Sequence, residues 1–330
     1  METRRLGRTG KDVGVVGLGT WQLGADWGDV TEDEALAVLR AAHDEGVTLL
    51  DTADVYGDGR SERVIRRFVA DLPEAERPFV ATKAGRRADP FTAEQYTPEN
   101  LRAWVGRSRE NLGVERLDLV QLHCPPTAVY SDDAVYDALD AMVAEGLLAA
   151  YGVSVETVDE GLTAIARPGV ASVQVILNAF RRKPLERLLP AAAEAGVGVL
   201  ARVPLASGLL TGKYDESTTF AADDHRTYNR NGEAFDVGET FSGVPFDVGV
   251  AAAREVAEVA AARGVPTSAL ALRWVLDQPG VTAVIPGARN AEQARGNAAA
   301  AALDPLTADE QAALERVYDE RLRELVHPRW

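Results

Sequence analysis

An acid, a lysine, a histidine and a serine close four successive apolar runs of this sequence. Asp51 ends the run 48–51, Lys83 ends 79–83, His123 ends 117–123 and Ser154 ends 149–154. Tyr56 stands five residues past Asp51, ahead of the next amphipathic stretch. A phenol titrates near pH ~10 and is a poor acid at neutral pH. A neighbouring ammonium stabilises the phenolate and lowers that pKa. A carboxylate paired with the lysine keeps it charged and oriented, and a histidine beside the phenol can hydrogen-bond a carbonyl oxygen. Together they can protonate an oxygen as negative charge develops on it, which suits carbonyl reduction by an external hydride donor. Taken singly each residue is weak evidence, because strand-end aspartates often cap helices and a lone histidine is more often structural. The weight lies in finding such residues on consecutive units.

Those residues need a scaffold that gathers strand ends. Apolar runs at 13–19, 48–51, 79–83, 117–123, 149–154, 171–177, 197–202 and 282–285 alternate with amphipathic stretches at 31–45, 61–70, 98–112, 132–144, 156–166, 185–195, 248–263 and 267–277. Thr31 and Glu34 have capping-box spacing, and Pro98 suits a first helical position. Strict alternation predicts a parallel sheet with crossover helices. Eight continuous apolar runs fit a closed (β/α)8 TIM barrel, an α/β fold, better than an open doubly wound sheet. In such a barrel the active site lies at the carboxyl ends of the strands. Residues 4–13, with Arg8, Thr9 and Gly10 at the turn, read as an N-terminal β-hairpin capping the barrel floor. A long loop, 214–246, follows the seventh strand and carries Phe220, Tyr228, Phe235 and Phe241; loops of that length are usually functional. No stretch rich in Pro, Gly or Ser divides the chain, so one domain over 1–330 is expected.

Composition narrows the partners. A formal charge of −16 argues against nucleic acid or an anionic membrane as the main partner. Of the 35 basic residues only Lys11, Lys83, Lys183 and Lys213 are lysine; high-GC codon usage and a salt-adapted surface both account for that. The single cysteine excludes an intrachain disulfide and a thiolate zinc cluster. Cys124 follows His123, but strand neighbours face opposite ways, so a buried small residue is expected rather than a nucleophile. Residues 1–11 are charged, unlike a secretory leader, and no apolar run approaches the ~18 residues of a membrane span. The cytoplasm is the expected compartment. A metal-dependent hydrolase built on Asp51, Asp54 and His123 would need further strand-end ligands, and His43, His225 and His327 lie elsewhere. No metal is expected. Residues 14–19 contain glycines in the wrong order for a dinucleotide fingerprint.

The motifs resemble the aldo-keto reductases. They are Gly17-Leu18-Gly19-Thr20-Trp21, the run Asp51 to Gly57, Thr82-Lys83, Gln121-Leu122-His123, Tyr151-Gly152-Val153-Ser154, the run Pro204 to Lys213, and Ile285-Pro286-Gly287. The resemblance extends to about Asn297 and implies a barrel that reduces aldehydes or ketones with NADP(H) in preference to NAD(H). It implies Tyr56 as general acid, Lys83 lowering its pKa, Asp51 pairing with Lys83, and His123 orienting the carbonyl. For the cofactor it implies Gly19, Thr20, Trp21 and Asp51 beside the nicotinamide, and Ser154 and Gln174 on its carboxamide. Val155 stands where many relatives carry a further amide. Arg202 stands where many place an aromatic ring; its flat guanidinium could stack or approach the pyrophosphate, the alternative being an ion pair under the long loop. Pro204, Leu205, Ser207, Gly208, Leu210 and Lys213 would follow the pyrophosphate. Ile285, Gly287, Arg289, Gln293 and Asn297 would hold the adenosine end, with Arg289 favouring a 2′-phosphate. Trp21, Trp27, Tyr56 and His123, with Tyr130 as a further wall, are expected to line the site of a small carbonyl substrate. A non-catalytic NADPH-binding subunit is the rival reading, disfavoured by the intact Asp51, Tyr56, Lys83 and His123. A monomer or small homo-oligomer is expected.

Overall fold

The computed structural model describes residues 1–24 and 30–330. Strands β1 (Thr3–Arg5) and β2 (Asp12–Gly14) pair antiparallel with Arg4 opposite Val13, through a turn in which Gly10 takes φ 71°. An eight-stranded parallel sheet follows: β3 (Leu18–Gly19), β4 (Leu49–Asp51), β5 (Phe79–Ala84), β6 (Leu119–His123), β7 (Tyr151–Ser154), β8 (Val170–Ile176), β9 (Gly198–Arg202) and β10 (Ala283–Val284). Each strand pairs with its successor in sequence. The sheet is curled, with parallel bridges Val16↔Val284 and Gly19↔Gly287 between its two ends. There the Gly17 N–H donates to Val284 O at 2.8 Å and the Gly19 N–H to Pro286 O at 3.0 Å.

The run expected as one strand over 13–19 is divided. Val13 and Gly14 pair with β1, and the Val15 N–H donates to Glu2 O at 3.0 Å. From the Val15 carbonyl onward the chain turns its hydrogen bonds to β10, the Val284 N–H donating to Val15 O at 2.9 Å. One apolar run thus serves two partners, which periodicity cannot distinguish.

The hairpin seals the amino-terminal end of the sheet. Leu6 and Val13 pack with Leu49, Ala81, Leu119, Ala150, Ala171, Leu200 and Ala283 in one apolar plug. Gly7, at φ 47°, lies so close to Ala171 O and Gly198 N that a Cβ would strike both. With that end filled by hydrocarbon, the polar ends of the strands are left at the other mouth.

Helices α1 (Glu32–Asp44), α2 (Arg60–Ala70), α3 (Pro98–Leu112), α4 (Asp133–Ala144), α5 (Val158–Ile165) and α6 (Leu188–Glu194) follow β3 to β8 in turn. Thr31 and Glu34 form the capping box on α1, and Thr157 with Glu160 forms one on α5. Helix α2 starts behind Gly59 rather than at Ser61, because the Ser61 hydroxyl turns inward to Thr20. Beyond β9 lie the short α7 (His225–Tyr228), then α8 (Phe246–Arg263), α9 (Thr267–Leu276), α10 (Ala291–Ala299), α11 (Ala308–Arg321) and α12 (Arg323–Val326). The segment between β9 and α8 also holds single turns at Ala206–Thr211, Val237–Glu239 and Phe241–Gly243. Phe220, Phe241 and Phe246 cluster there with ring centroids 5.1–5.8 Å apart. Among the described residues no helix is long and apolar enough to cross a membrane.

Candidate active site

Sheet register sets the site. Asp51 is level with Gly19, Lys83 with Gln121, His123 with Ser154, and Ser154 with Gln174, all at the carboxyl ends of neighbouring strands. The buried Lys83 ammonium uses all three of its protons. It donates to Asp51 Oδ2 at 2.6 Å, to Thr52 O at 3.0 Å and to the Tyr56 hydroxyl at 3.2 Å. Asp51 Oδ1 accepts from Gln174 Nε2 at 2.7 Å and from Gln121 Nε2 at 3.4 Å. Tyr56 stands edge-on to His123, centroids 5.9 Å apart, and nearly parallel to Trp21 at 6.1 Å.

The turn that carries Tyr56 is tightly specified. Gly57 takes φ 57°, and a Cβ there would strike Gly24 O, so a side chain is excluded by both space and backbone conformation. Beneath it, Thr20, Ser61 and Thr52 form a buried hydroxyl chain, Thr52 Oγ1 donating to Ser61 Oγ at 2.9 Å and Ser61 Oγ to Thr20 Oγ1 at 2.8 Å. Thr20 also donates to Asp51 O at 2.9 Å, which ties this chain to the strand end.

Burial and charge fix the protonation states. Burial opposes the Lys83 charge, but Asp51 and Tyr56 outweigh it and hold the ammonium above its ordinary range. Burial is also the larger influence on Tyr56, whose phenol is raised above 10 although Lys83 pulls it down. The sequence expectation of a lowered phenol is corrected to that extent: the Lys83 effect is present, and desolvation exceeds it. Burial, then Arg86, Lys83 and Arg202, push His123 far below 6.5, so its ring is neutral. His123 Nδ1 is buried with no hydrogen-bond partner. Asp54 is raised to about 7 by burial and by Glu62, and both of its carboxylate oxygens are buried without a hydrogen bond.

The other predicted positions fall around this centre. Gly19 and Gly287 face each other across the bridge between the sheet's ends, beside Ile285. A Cβ on Gly287 would press on Gln22, whose Oε1 is buried and unpartnered. Ser154 Oγ accepts from Cys124 Sγ at 3.3 Å, and Cys124 is buried as expected. After Arg202 the chain runs through left-handed φ at Val203, Ala206, Ser207 and Gly208, flanking Pro204 and Leu205; Leu210 is buried and Lys213 exposed. Asn290 caps α10 by accepting the Gln293 N–H at 2.9 Å, Gln293 Oε1 accepts the Arg289 N–H at 2.9 Å, and Asn297 Nδ2 donates to Gly287 O at 3.1 Å. Arg289 also approaches Asp224 at 3.7 Å.

Two expectations change. Arg202 takes the alternative weighed for it, an ion pair under the loop: its guanidinium pairs with Glu239, with Glu156 at 3.1 Å, and with Val155 O at 3.0 Å. A buried guanidinium needs carboxylate partners, and Glu156 and Glu239 are those of Arg202. Tyr130 is no wall of the site. It is core, its hydroxyl donating to Ser154 O at 2.8 Å. Trp27 lies outside the described residues. Sequence reasoning missed Arg86 and Glu239, which stand beside His123 and Arg202 respectively, and named Phe235, which stands beside Trp21, only among the aromatics of the long loop. Arg86 was discoverable three residues past Lys83; a loop without periodicity gave no signal for Glu239. Cys124, Glu156 and Glu239 place possible metal-ligand atoms within 4.8 Å of one another, but Arg202 already supplies the positive charge there.

Comparison with known proteins identifies the family. Residues 15–319 match the model of the aldo/keto reductase family. The aldo-keto reductase YhdN of Bacillus subtilis is 31% identical over 299 residues, 89% of this chain and 86% of that protein. A glycerol dehydrogenase from Gluconobacter oxydans superposes with a TM-score of 0.79 at 31% identity, over 97% of this chain and 96% of that one. An aldo-keto reductase from Klebsiella pneumoniae, solved in complex with NADPH, superposes with a TM-score of 0.71 at 26% identity, over 96% and 95% of the two chains. The chain belongs to the aldo/keto reductase family and is an oxidoreductase.

Proposed function

We propose that the protein reduces a small aldehyde or ketone to the alcohol with a nicotinamide cofactor, NADPH in preference to NADH, and that Tyr56 donates the proton. The observation that carries this reading is the Lys83 ammonium, sealed in the sheet and shared between Asp51 and the Tyr56 hydroxyl. Tyr56 gives its phenolic proton to the carbonyl oxygen as charge builds there, and Lys83 stabilises the phenolate left behind. Asp51, anchored by Gln174 and Gln121, keeps Lys83 charged and aimed. His123, neutral, donates a hydrogen bond to the same oxygen without competing as the acid.

The residues present fit a dinucleotide. Left-handed residues in a tight turn make anion-binding concavities, and Val203 to Gly208 is such a turn, with Lys213 beyond it. Gly19 and Gly287 bring bare backbone together across the sheet's ends, beside the unpartnered Gln22 amide oxygen. When bound, the nicotinamide supplies the hydride to the carbonyl carbon. Ser154 and Gln174 are proposed at its carboxamide, Gly19, Thr20 and Trp21 beside its ring, Ser207, Gly208 and Lys213 along the pyrophosphate, and Arg289, Gln293 and Asn297 at the adenosine end. The NADPH complex of the Klebsiella relative supports a nicotinamide cofactor; the preference for the phosphorylated form rests on Arg289.

The same reading takes 1–330 as one closed (β/α)8 barrel with 214–246 as a loop over its carboxyl end, supported by the bridges of Val16 and Gly19 to the far end of the sheet. A cytoplasmic monomer or small homo-oligomer fits a single buried thiol and no membrane-length helix among the described residues. The test is oxidation of NADPH with simple aldehydes. Brisk turnover lost in Tyr56→Phe is expected, and a rate unchanged in that variant would refute the proton-donor assignment.

A further inference from the structure

Helix α2 opens without a side-chain cap. Its N-cap is Gly59, in a left-handed conformation, with no side-chain hydrogen bond to the first turn. A serine at a helix start ordinarily supplies that bond. Ser61 stands two residues further on and spends its hydroxyl on the sheet instead. That hydroxyl accepts from Thr52 Oγ1 at 2.9 Å and gives its one proton to Thr20, 2.8 Å from Oγ1 and 3.1 Å from O. The Ser61 N–H donates to Tyr56 O at 3.2 Å. Ser61 therefore holds both ends of the turn 52–56, Thr52 by its side chain and Tyr56 by its backbone. The next residue, Glu62, accepts from Thr82 Oγ1 at 2.6 Å, which fixes the same helical turn to the strand position before Lys83. Thr20, Thr52, Ser61, Glu62 and Thr82 are all fully buried.

The stapled turn carries two of the three acceptors of Lys83, Thr52 O at 3.0 Å and the Tyr56 hydroxyl at 3.2 Å. The third, Asp51 Oδ2, belongs to the residue just before it. An ammonium offers three protons in a fixed tetrahedral spread, so displacing one acceptor costs alignment with the others. The hydroxyl chain transmits position and not protons. Its donors run one way, from Thr52 through Ser61 and Thr20, and end on the Asp51 carbonyl, which passes no proton on.

We propose that Ser61 is a positioning residue for proton transfer: by stapling the turn 52–56 it sets the distance between the Lys83 ammonium and the Tyr56 phenol. Without its hydroxyl the Thr52 side chain loses its acceptor, the Thr52 carbonyl swings away from Lys83, and the ammonium settles on Asp51. The phenolate that Tyr56 leaves behind is then less stabilised, and proton delivery slows. The inference rests on the carbonyl reduction proposed above and adds a residue that acts through Thr52 and Lys83.

The experiment measures reduction of simple aldehydes by NADPH, in light and heavy water, for the unsubstituted protein, Ser61→Ala, Thr52→Val and the double variant. Thr52→Val keeps the shape and deletes only the hydroxyl from which Ser61 accepts. In each single variant kcat is expected to fall about tenfold, a part of the ~10²–10⁴-fold that a positioned proton donor contributes. KM for aldehyde and for NADPH should change less than about twofold. The solvent isotope effect on kcat is expected to rise, because proton delivery becomes the slower step. The double variant should lose no more than either single one, since both cut the same link. An isotope effect unchanged in both single variants, with kcat lost only in proportion to the unfolded fraction, would make the role merely structural and overturn the inference, leaving carbonyl reduction standing. No turnover of any simple aldehyde by the unsubstituted protein would overturn both. If Ser61→Ala fails to fold, Thr52→Val decides.

Discussion

The Lys83 ammonium donates to the Tyr56 hydroxyl at 3.2 Å, but its shorter bond, 2.6 Å, goes to Asp51. The pair therefore holds a protonated phenol next to a fixed positive charge. Burial raises the phenol, which keeps its proton available at neutral pH, and Lys83 limits the cost of losing it. Lys83→Met keeps the volume and removes the charge. The expected result is a fall in kcat of about 10²–10⁴-fold, with NADPH still quenching the protein's fluorescence. Loss of quenching would make Lys83 a nucleotide ligand instead.

The protonation states also predict a flat pH profile for reduction. His123, far below 6.5, stays neutral above that value, and Tyr56, above 10, stays protonated below it. Neither group changes charge between about pH 7 and pH 9. The kcat/KM for an aldehyde is expected to be level across that window. A break there that disappears in His123→Gln would show that the imidazole is charged in the working enzyme.

Asp54 should make the protein less stable as pH rises. Its carboxyl titrates near 7 in the fold, against about 3.9 in an unfolded chain. Between those values the native state binds the extra proton, so stability is highest at the acid end of the window and is lost as pH climbs through 7. Asp54→Asn removes the charge that burial opposes. It is expected to raise Tm more at pH 8 than at pH 5, by the equivalent of roughly 1–3 kcal/mol. An equal effect at both pH values would mean that the carboxylate finds a partner in solution.

The positions of Asp51, Lys83, His123 and Ser154 were legible because each lies at or one residue before the carboxyl end of a short strand, and a parallel sheet carries all strand ends to one side. Tyr56 was legible from its spacing to Asp51. The helix cap at Thr31 was legible for a local reason, since a capping box is complete within four residues, whereas the one at Thr157 falls inside the stretch 156–166 expected as helix. What lay hidden depends on distant pairing. Val13 leaves the expected first strand because β1 claims it, and Arg202 turns to Glu239 because a loop lacking any hydrophobic period delivers that carboxylate. The two unpartnered oxygens of Asp54 were equally hidden, since a residue's lack of donors is a property of its neighbours.

Arg289 gives the sharpest test of the nucleotide preference. It precedes α10, its backbone N–H is held by Gln293, and its side chain keeps 44% of its surface open while lying 3.7 Å from Asp224. A 2′-phosphate carries close to two negative charges and can take two parallel hydrogen bonds from a guanidinium, so it competes with the Asp224 carboxylate at that distance. NADH has a neutral hydroxyl there and gains little. Arg289→Ala should therefore raise Kd for NADPH roughly tenfold, reduced from the buried value because the site is exposed, and change Kd for NADH less than about twofold. The check is fluorescence titration of both nucleotides at two salt concentrations, because screening should shrink the NADPH effect and leave NADH unmoved. Equal weakening of the two nucleotides would place Arg289 on a part they share and remove the basis for preferring NADPH.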